Sequence, residues 1–402
     1  MVSHEKFPGP VFSAPFPSSG RVGAVDCVRG LVMALMALDH CRDFFTLGAM
    51  QDDPTNPATT SLLLYLTRWA THLCAPTFVF LAGTAVFFSL ERGRAQGDKA
   101  RLLVQRGALL ILLELTLVRW AWLFGFSHTS YLLQVIWMLG ASMLVMAGLL
   151  FVPDWAKLVF GLALVLGHNA FDSLAPQSFG GLGWLWRLLH AGGSVPLGHG
   201  RSLEVLYPLI PWAGVMPLGY LAGRLYRFEP GRRVRILAAL GGGCLAGFCA
   251  LRLGNAYGDP EPWRAYAEGA RTAYSFFDVS KYPPSLDYLL ATLGVMFLAL
   301  AFFEHPKGRI GRWLTVLGQA PLFFYVTHLY LLHALAVGYA LWRFGRADWL
   351  VDWGRWPAPP DAGASLAVVY AMWLATLLAL YPACRAVAAR RGAHPTRWAS
   401  LL

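Results

Sequence analysis

Ten apolar runs dominate this chain, each near the ~20 residues a helix needs to cross ~30 Å of hydrocarbon. Their approximate cores are 22–45, 63–90, 102–126, 131–152, 156–171, 203–226, 234–253, 285–303, 314–342 and 364–388. In lipid every backbone polar group must be satisfied internally, so such runs fold as helices or close into a barrel. Runs this long, without strict alternation, specify helices. The expectation is an all-α fold, a polytopic transmembrane bundle of about ten spanning helices. Only 14% of residues are charged and 56% are hydrophobic, against about 25% charged in a soluble chain. Residues 21–390 are therefore expected to form one transmembrane domain. Residues 1–20, rich in Pro, Ser and Phe and lacking an apolar signal core, read as a flexible cytoplasmic tail. Residues 391–402 read as a second cytoplasmic tail.

The net charge of +11 follows from topology rather than from a nucleic-acid partner. Arg92, Arg94, Lys99 and Arg101 follow the second run, and Arg224, Arg227, Arg232, Arg233 and Arg235 lie between the sixth and seventh. Lys307, Arg309 and Arg312 follow the eighth, whereas residues 46–61 and 127–130 hold no Lys or Arg. The positive-inside rule then puts both termini in the cytoplasm of a multi-pass inner (plasma) membrane protein, and an even number of spans agrees. The lipid bilayer is the first partner implied. The outer loops 172–201, 255–284 and 343–363 are long, and the first reads as a re-entrant or interfacial helix. No zinc knuckle, helix-turn-helix or phosphate loop is present, so no nucleic acid is expected. The six cysteines have neither metal-ligand spacing nor a secreted disulfide pattern. An acyl-thioester role for Cys41 or Cys74 competes with a plain buried role, which the sequence favours.

The first run carries the chemistry. Residues 22–45 read VGAVDCVRGLVMALMALDHCRDFF, with Asp26, Arg29, Asp39, His40, Arg42 and Asp43 inside a bilayer-length helix. A charged side chain near mid-membrane costs on the order of 3 kcal/mol on insertion scales, so such groups read as functional. Arg29 and His40 lie on one helical face ~16 Å apart, with Asp26 near the same stripe. Asp43 follows His40 by one turn and can reach its ring. A guanidinium at one end and an imidazole with carboxylates at the other suit a long anionic ligand that enters from one side and reacts near the other.

The Arg-x10-His pattern in VDCVRGLVMALMALDH resembles the first-helix signature of membrane acyltransferases, including the type-3 enzymes that acetylate sugars. With THLCAPTFVFLAGTAVFF at 71–88 and KYPPSLDYLLATLG at 281–294, it resembles the bacterial relatives of heparan-alpha-glucosaminide N-acetyltransferase. That resemblance implies acetyl (acyl) transfer from cytoplasmic acetyl-CoA to a sugar, amino-sugar or glycolipid acceptor at the outer half of the membrane. His40 would be the general base, with Asp43 or Asp39 fixing its tautomer. Arg29 would grip the donor, or else pair with Asp26 to lock the helix start. Arg68 and His72, four apart on the second run, would contact the acceptor or polarise the carbonyl. The human-type relatives carry a His-Ala-Ser-Trp stretch that is missing here, where about Leu62 stands at the equivalent distance, so the base is either His40 or His72. Lys281 and Tyr282 read as acceptor contacts, and Asp287 as a helix-start residue. His328, mid-helix in GQAPLFFYVTHLYLLH, needs a partner in the bundle, while His333 faces elsewhere. Glu114 and Arg119 read as structural pairing, and Gln134 and Trp137 as weak pocket candidates. No metal is expected, since no His-x3-His spacing occurs, and a convergence of His40, His72, His328 and Asp43 is a minor alternative. A homodimer is possible. The competing functions are a transporter or flippase, which lacks the expected paired broken helices, and a scaffold subunit, which the charges in the first two runs argue against.

Overall fold

In the computed structural model, residues 22–46, 54–93, 95–125, 129–351, 356–359 and 361–393 are described. Both expected tails thus lie largely outside the described residues. The helices in chain order are α1 (Gly23–Phe45), α2 (Leu62–Thr71), α3 (Cys74–Glu91), α4 (Gln96–Leu113), α5 (Arg119–Leu123), α6 (Val135–Leu149), α7 (Asp154–Gly167) and α8 (Gly183–Trp186). They continue with α9 (Trp212–Ala222), α10 (Pro230–Gly254), α11 (Gly269–Phe277), α12 (Leu286–Phe302), α13 (Gly308–Gly318), α14 (Pro321–Phe344) and α15 (Leu366–Ala393). A π-helical turn at Glu114–Val118 joins α4 to α5.

Local chemistry sets the ends. The Ser61 hydroxyl accepts from the Leu64 amide at 3.4 Å to start α2, and Ser285 accepts from Tyr288 at 3.0 Å to start α12. Proline stands in the first turn of α10 and α14, where its missing amide costs nothing. Gly345, at φ 69°, ends α14 in the left-handed conformation that glycine adopts without strain.

Each of the ten apolar runs carries a helix, and the protein is a helical membrane protein. Length and apolar composition, however, single out four helices able to cross a membrane: Leu62–Glu91, Pro230–Gly254, Pro321–Phe344 and Leu366–Arg390. A pair, Asp154–Phe171 and Pro176–Ala191, bends by 113° and can be read as one broken span or a re-entrant loop. The others fall short for physical reasons. Its charged residues keep the 23-residue α1 out of that class, while α6 and α12 are 15 and 17 residues long.

The all-α expectation needs one correction. A three-stranded sheet of order β1-β3-β2 is built from β1 (Ser130–Leu133), β2 (Gly193–Gly198) and β3 (Arg201–Val205). β1 runs parallel to β3, and β2 antiparallel to it. The ends of the fourth and sixth expected helices therefore turn into strands, because each finds its backbone partner in the other.

The sheet caps one end of the bundle. The opposite, basic end holds the ion pairs Arg227–Glu91, Arg233–Glu304 and Arg224–Asp154. Between the ends, α1 packs against α2, α3, α12, α13, α14 and α15. Its first half joins a core with Val79, Trp212, Met216 and Tyr288, and its second half joins another with Phe324, Leu329, Leu332 and Val369. α13 and α14 are separate helices where one run was expected. The break lets α13 lie so close to α1 that a Cβ on Gly30 would fall on the Leu314 carbonyl, and one on Gly318 on the Asp26 carbonyl.

Candidate active site

His40 sits in the second half of α1, and His328 sits in the first half of α14, 288 residues on. Their rings lie edge to edge and nearly coplanar, with centroids 5.0 Å apart and planes 11° from parallel, and His40 Nδ1 lies 2.7 Å from His328 Nε2. The proton positions follow from the next partner. His328 Nδ1 lies 2.9 Å from the Phe324 carbonyl, which can only accept, so in the neutral ring Nδ1 carries the proton and Nε2 is an acceptor. His40 Nδ1 then donates to His328, and His40 Nε2 keeps its lone pair. Trp122 and Tyr325 meet the His40 ring edge-on at 5.0 and 6.3 Å. The tautomer lock expected from Asp43 or Asp39 is supplied instead by His328.

Those carboxylates anchor an ion cluster beside the pair. Asp39 takes both oxygens to Arg68 Nη1, at 2.9 and 2.8 Å, and also accepts from Arg42 at 3.0 Å. Lys281 Nζ completes the set 3.6 Å from Asp39. Asp43, on the far side, accepts from Arg42 at 2.7 Å. Arg42 is the charged residue of the first run to which spacing assigned no role, and it is 3% exposed and ties Asp39 to Asp43. Three cations around two carboxylates leave the cluster with positive charge.

His72 caps the C-terminus of α2 and is buried. Its carbonyl accepts from the Tyr288 hydroxyl at 2.8 Å, while its Nδ1 has no partner among the described residues. It does not join the His40–His328 pair. Lys281 reaches the cluster, whereas Tyr282 is 44% exposed and bonds the Tyr207 hydroxyl at 3.2 Å.

Toward the basic end, a cavity of about 400 Å³ opens between α1, α3, α4, α6 and the α13–α14 turn. It runs along α1 from Asp26 to Met36, ~15 Å of helix. Asp26, Arg29, Arg92, Lys99, Arg106 and Gln319 supply its polar wall. Its inner wall is apolar except for Tyr325, with Met36, Leu110, Val135, Ile136 and Leu139 around it. Arg29 makes the expected pairing with Asp26. It donates to Asp26 at 3.0 Å and to the Gly318 carbonyl at 2.9 Å, and it also lines the cavity.

Other expected residues prove structural. Glu114 does not pair with Arg119 but accepts from the Ile136 and Trp137 amides at 3.1 and 2.9 Å, capping α6, while Arg119 donates to the Ser130 carbonyl. Trp137 donates to the Tyr207 carbonyl and Gln134 precedes α6, so their neighbours Val135 and Ile136 line the cavity instead. Ser285, not Asp287, caps α12; Asp287 lies buried 4.0 Å from Arg252. His333 spans the Ala121 and Leu350 carbonyls at 2.7 and 2.9 Å. Cys41 and Cys74 are buried thiols bonded to the Val369 and Val32 carbonyls. Among the described residues, no three His, Cys, Asp or Glu side chains gather as a metal site.

The family model for heparan-alpha-glucosaminide N-acetyltransferase, catalytic, matches residues 21–249. That stretch contains Arg29, Asp39, His40, Arg68 and His72, whereas Lys281 and His328 come from beyond it. No curated protein matches the chain.

Proposed function

Because the chain belongs to the heparan-alpha-glucosaminide N-acetyltransferase catalytic family, we propose that it moves an acetyl group from acetyl-CoA, bound from the basic end, to a sugar or amino-sugar acceptor at the sheet end. The observation that carries this reading is the His40–His328 pair, set between a cavity with a cationic wall and a cationic ion cluster. The donor's phosphates would meet Arg29, Arg92, Lys99 and Arg106, since guanidinium and ammonium groups recognise phosphate oxygens. Its pantetheine arm would lie along the apolar wall. From the other side, the acceptor would approach Arg68, Lys281, Tyr282 and the Asp39 carboxylate.

His40 Nε2 holds the lone pair a general base needs. As the acceptor amine or hydroxyl attacks the thioester carbon, His40 takes its proton. The tetrahedral species then collapses, breaking the carbon–sulfur bond, and the proton on His40 passes to the leaving CoA thiolate. His328 holds the ring in the reactive tautomer, and Asp39 orders the cations around it. His72, with an unpaired Nδ1, would contact the acceptor rather than serve as the base. The same reading keeps ten spans, both termini in the cytoplasm, and an inner-membrane location.

The test incubates purified protein with radiolabelled acetyl-CoA and a panel of amino sugars, comparing wild type with His40→Ala. Transfer lost in a folded variant supports the assignment of His40. Transfer that persists moves the base to His72. Wild type that neither binds nor consumes acetyl-CoA would sink the acetyltransferase reading and favour a transporter, which uptake into proteoliposomes would then show.

A further inference from the structure

Tyr325 is the polar residue of the cavity that lies nearest the histidine pair without a hydrogen bond to it. It lies one turn before His328 on α14, 5% exposed, with its ring 5.8 Å from His328 and 6.3 Å from His40. The other polar lining groups are Asp26, Arg29, Gln319, Arg92, Lys99 and Arg106. Asp26 and Arg29 stand in the first two turns of α1, Gln319 in the α13–α14 turn, Arg92 just past α3, and Lys99 and Arg106 in the first and third turns of α4, all before the apolar wall formed by Met36, Leu110, Val135, Ile136 and Leu139. Tyr325 therefore supplies the side-chain hydrogen-bonding group of the inner, apolar wall. Its hydroxyl is buried and has no partner among the described residues. A buried donor left unmade is an exception in native structures that calls for a ligand, a water or a catalytic role. A carbonyl delivered down this cavity would reach that hydroxyl beside the His40 ring.

We propose that the Tyr325 hydroxyl donates a hydrogen bond to the thioester carbonyl oxygen of the donor. It would polarise the carbon that the acceptor attacks and hold the negative charge that forms on oxygen. The inference rests on the acetyltransferase reading. In the balanced step, the carbonyl π pair moves onto the oxygen held by Tyr325 as the acceptor bonds to carbon and His40 takes its proton. The pair returns as the carbon–sulfur bond breaks, and Tyr325 keeps its own proton throughout. Only a preorganised donor is needed, which is the usual form of oxyanion stabilisation.

The test uses Tyr325→Phe, which removes one oxygen and keeps the ring. Purified wild type and variant are loaded with acetyl-CoA labelled with carbon-13 at the carbonyl, and the carbonyl stretch is read by isotope-edited infrared spectroscopy. Affinity for acetyl-CoA is measured against S-ethyl-CoA, which lacks the carbonyl. The expected result is a stretch lowered in wild type and restored toward its solution value in the variant, with the preference for acetyl-CoA over S-ethyl-CoA lost. Turnover should fall by roughly 10²-fold, the usual size for one oxyanion donor. Acetyl-CoA bound by wild type with an unshifted carbonyl, or a variant indistinguishable from wild type, overturns the role of Tyr325 and leaves the donor site standing. Absence of acetyl-CoA binding in wild type overturns both.

Discussion

Two kinds of buried histidine occur on α14, and they differ in what their ring nitrogens hold. His333 faces a backbone carbonyl with each, Ala121 and Leu350, and the neutral ring donates to one of them, with Phe124 stacked 3.8 Å from its ring. His168 near the sheet end is used the same way, bridging the Val165 and Pro284 carbonyls at 3.0 and 2.8 Å. His328 instead gives one nitrogen to Phe324 and the other to His40, so the chain of hydrogen bonds ends on a free lone pair. Burial is therefore not the mark of function here, since His328 and His333 are both fully buried. A histidine whose two nitrogens are closed by carbonyls is a cross-link. One that passes its hydrogen bond to a second imidazole sets the second ring up for proton transfer.

The strongest way to break this contrast is His40→Ala. It is expected to cost on the order of 10²–10⁴ in transfer rate, the range for losing a positioned base, with acetyl-CoA affinity and thermal unfolding in detergent unchanged. The matching substitution His333→Ala should show the opposite, intact turnover in the folded fraction and a lower unfolding temperature. A large kinetic loss in His333→Ala would erase the distinction.

Asp39→Ala comes next. It leaves Arg68, Arg42 and Lys281 facing one another without the carboxylate they share. Removing one partner of a buried ion group costs about 3–5 kcal/mol, so unfolding in detergent should shift strongly and expression should fall. Asp39→Asn keeps the shape and should retain more stability than the alanine variant. Equal loss in both would mean that charge, rather than hydrogen bonding, holds the cluster.

His328→Ala tests the pair itself. It removes the acceptor for His40 Nδ1 and frees that ring to rotate or change tautomer. Turnover should drop by roughly 10²-fold with KM for acetyl-CoA little changed, because loss of ring orientation acts on the reaction rather than on donor binding. His328→Gln, with an oxygen that can accept from Nδ1, should recover part of the rate. No recovery, together with a general loss of folding, would make His328 another cross-link like His333.

How much of this could be read from the chain depends on sequence distance. The functional half of α1 was legible, because Arg29, Asp39, His40 and Asp43 share one bilayer-length segment whose helical period places them. Arg68 was legible as a polar residue in an apolar run and Lys281 as an acceptor contact in the loop before one, and their convergence on Asp39 was not. The His40–His328 bond spans 288 residues, and no local periodicity encodes it. Asp43 looked like the natural partner of His40 by spacing, but Arg42 claims it, and an adjacent cation competes better for a carboxylate than an imidazole does. Tyr131–Leu133 and Leu203–Val205 read as helix because short apolar runs look alike in either state, and only pairing with each other makes them strands. Gly318 ends α13 and Pro321 starts α14 inside the single run 314–342, which apolarity alone joins into one helix.

The smallest expected effect is also the one that decides between two routes. Cys41 follows His40 directly, and Cys74 follows His72 by two, so either thiol could in principle carry the acetyl group as a thioester before passing it on. The structure gives each a different occupation. Cys41 donates to the Val369 carbonyl and Cys74 to the Val32 carbonyl, both at 3.2 Å, and both are buried in the second apolar core. A nucleophilic thiol needs a thiolate, which cationic, partly exposed surroundings favour and an apolar enclosure opposes. Each behaves as a small buried residue with a weak hydrogen bond. Replacing either with alanine should therefore change stability by about 1 kcal/mol or less and leave transfer at the wild-type rate. The measurement pairs turnover with a mass-spectrometric search for an acetylated enzyme trapped before acceptor is added. Wild-type turnover in both variants leaves direct transfer under His40, or an acetyl-histidine, as the routes available. An acetyl group found on Cys41 or Cys74, lost with its alanine variant together with activity, would move the chemistry from the histidine pair to the thiol beside it.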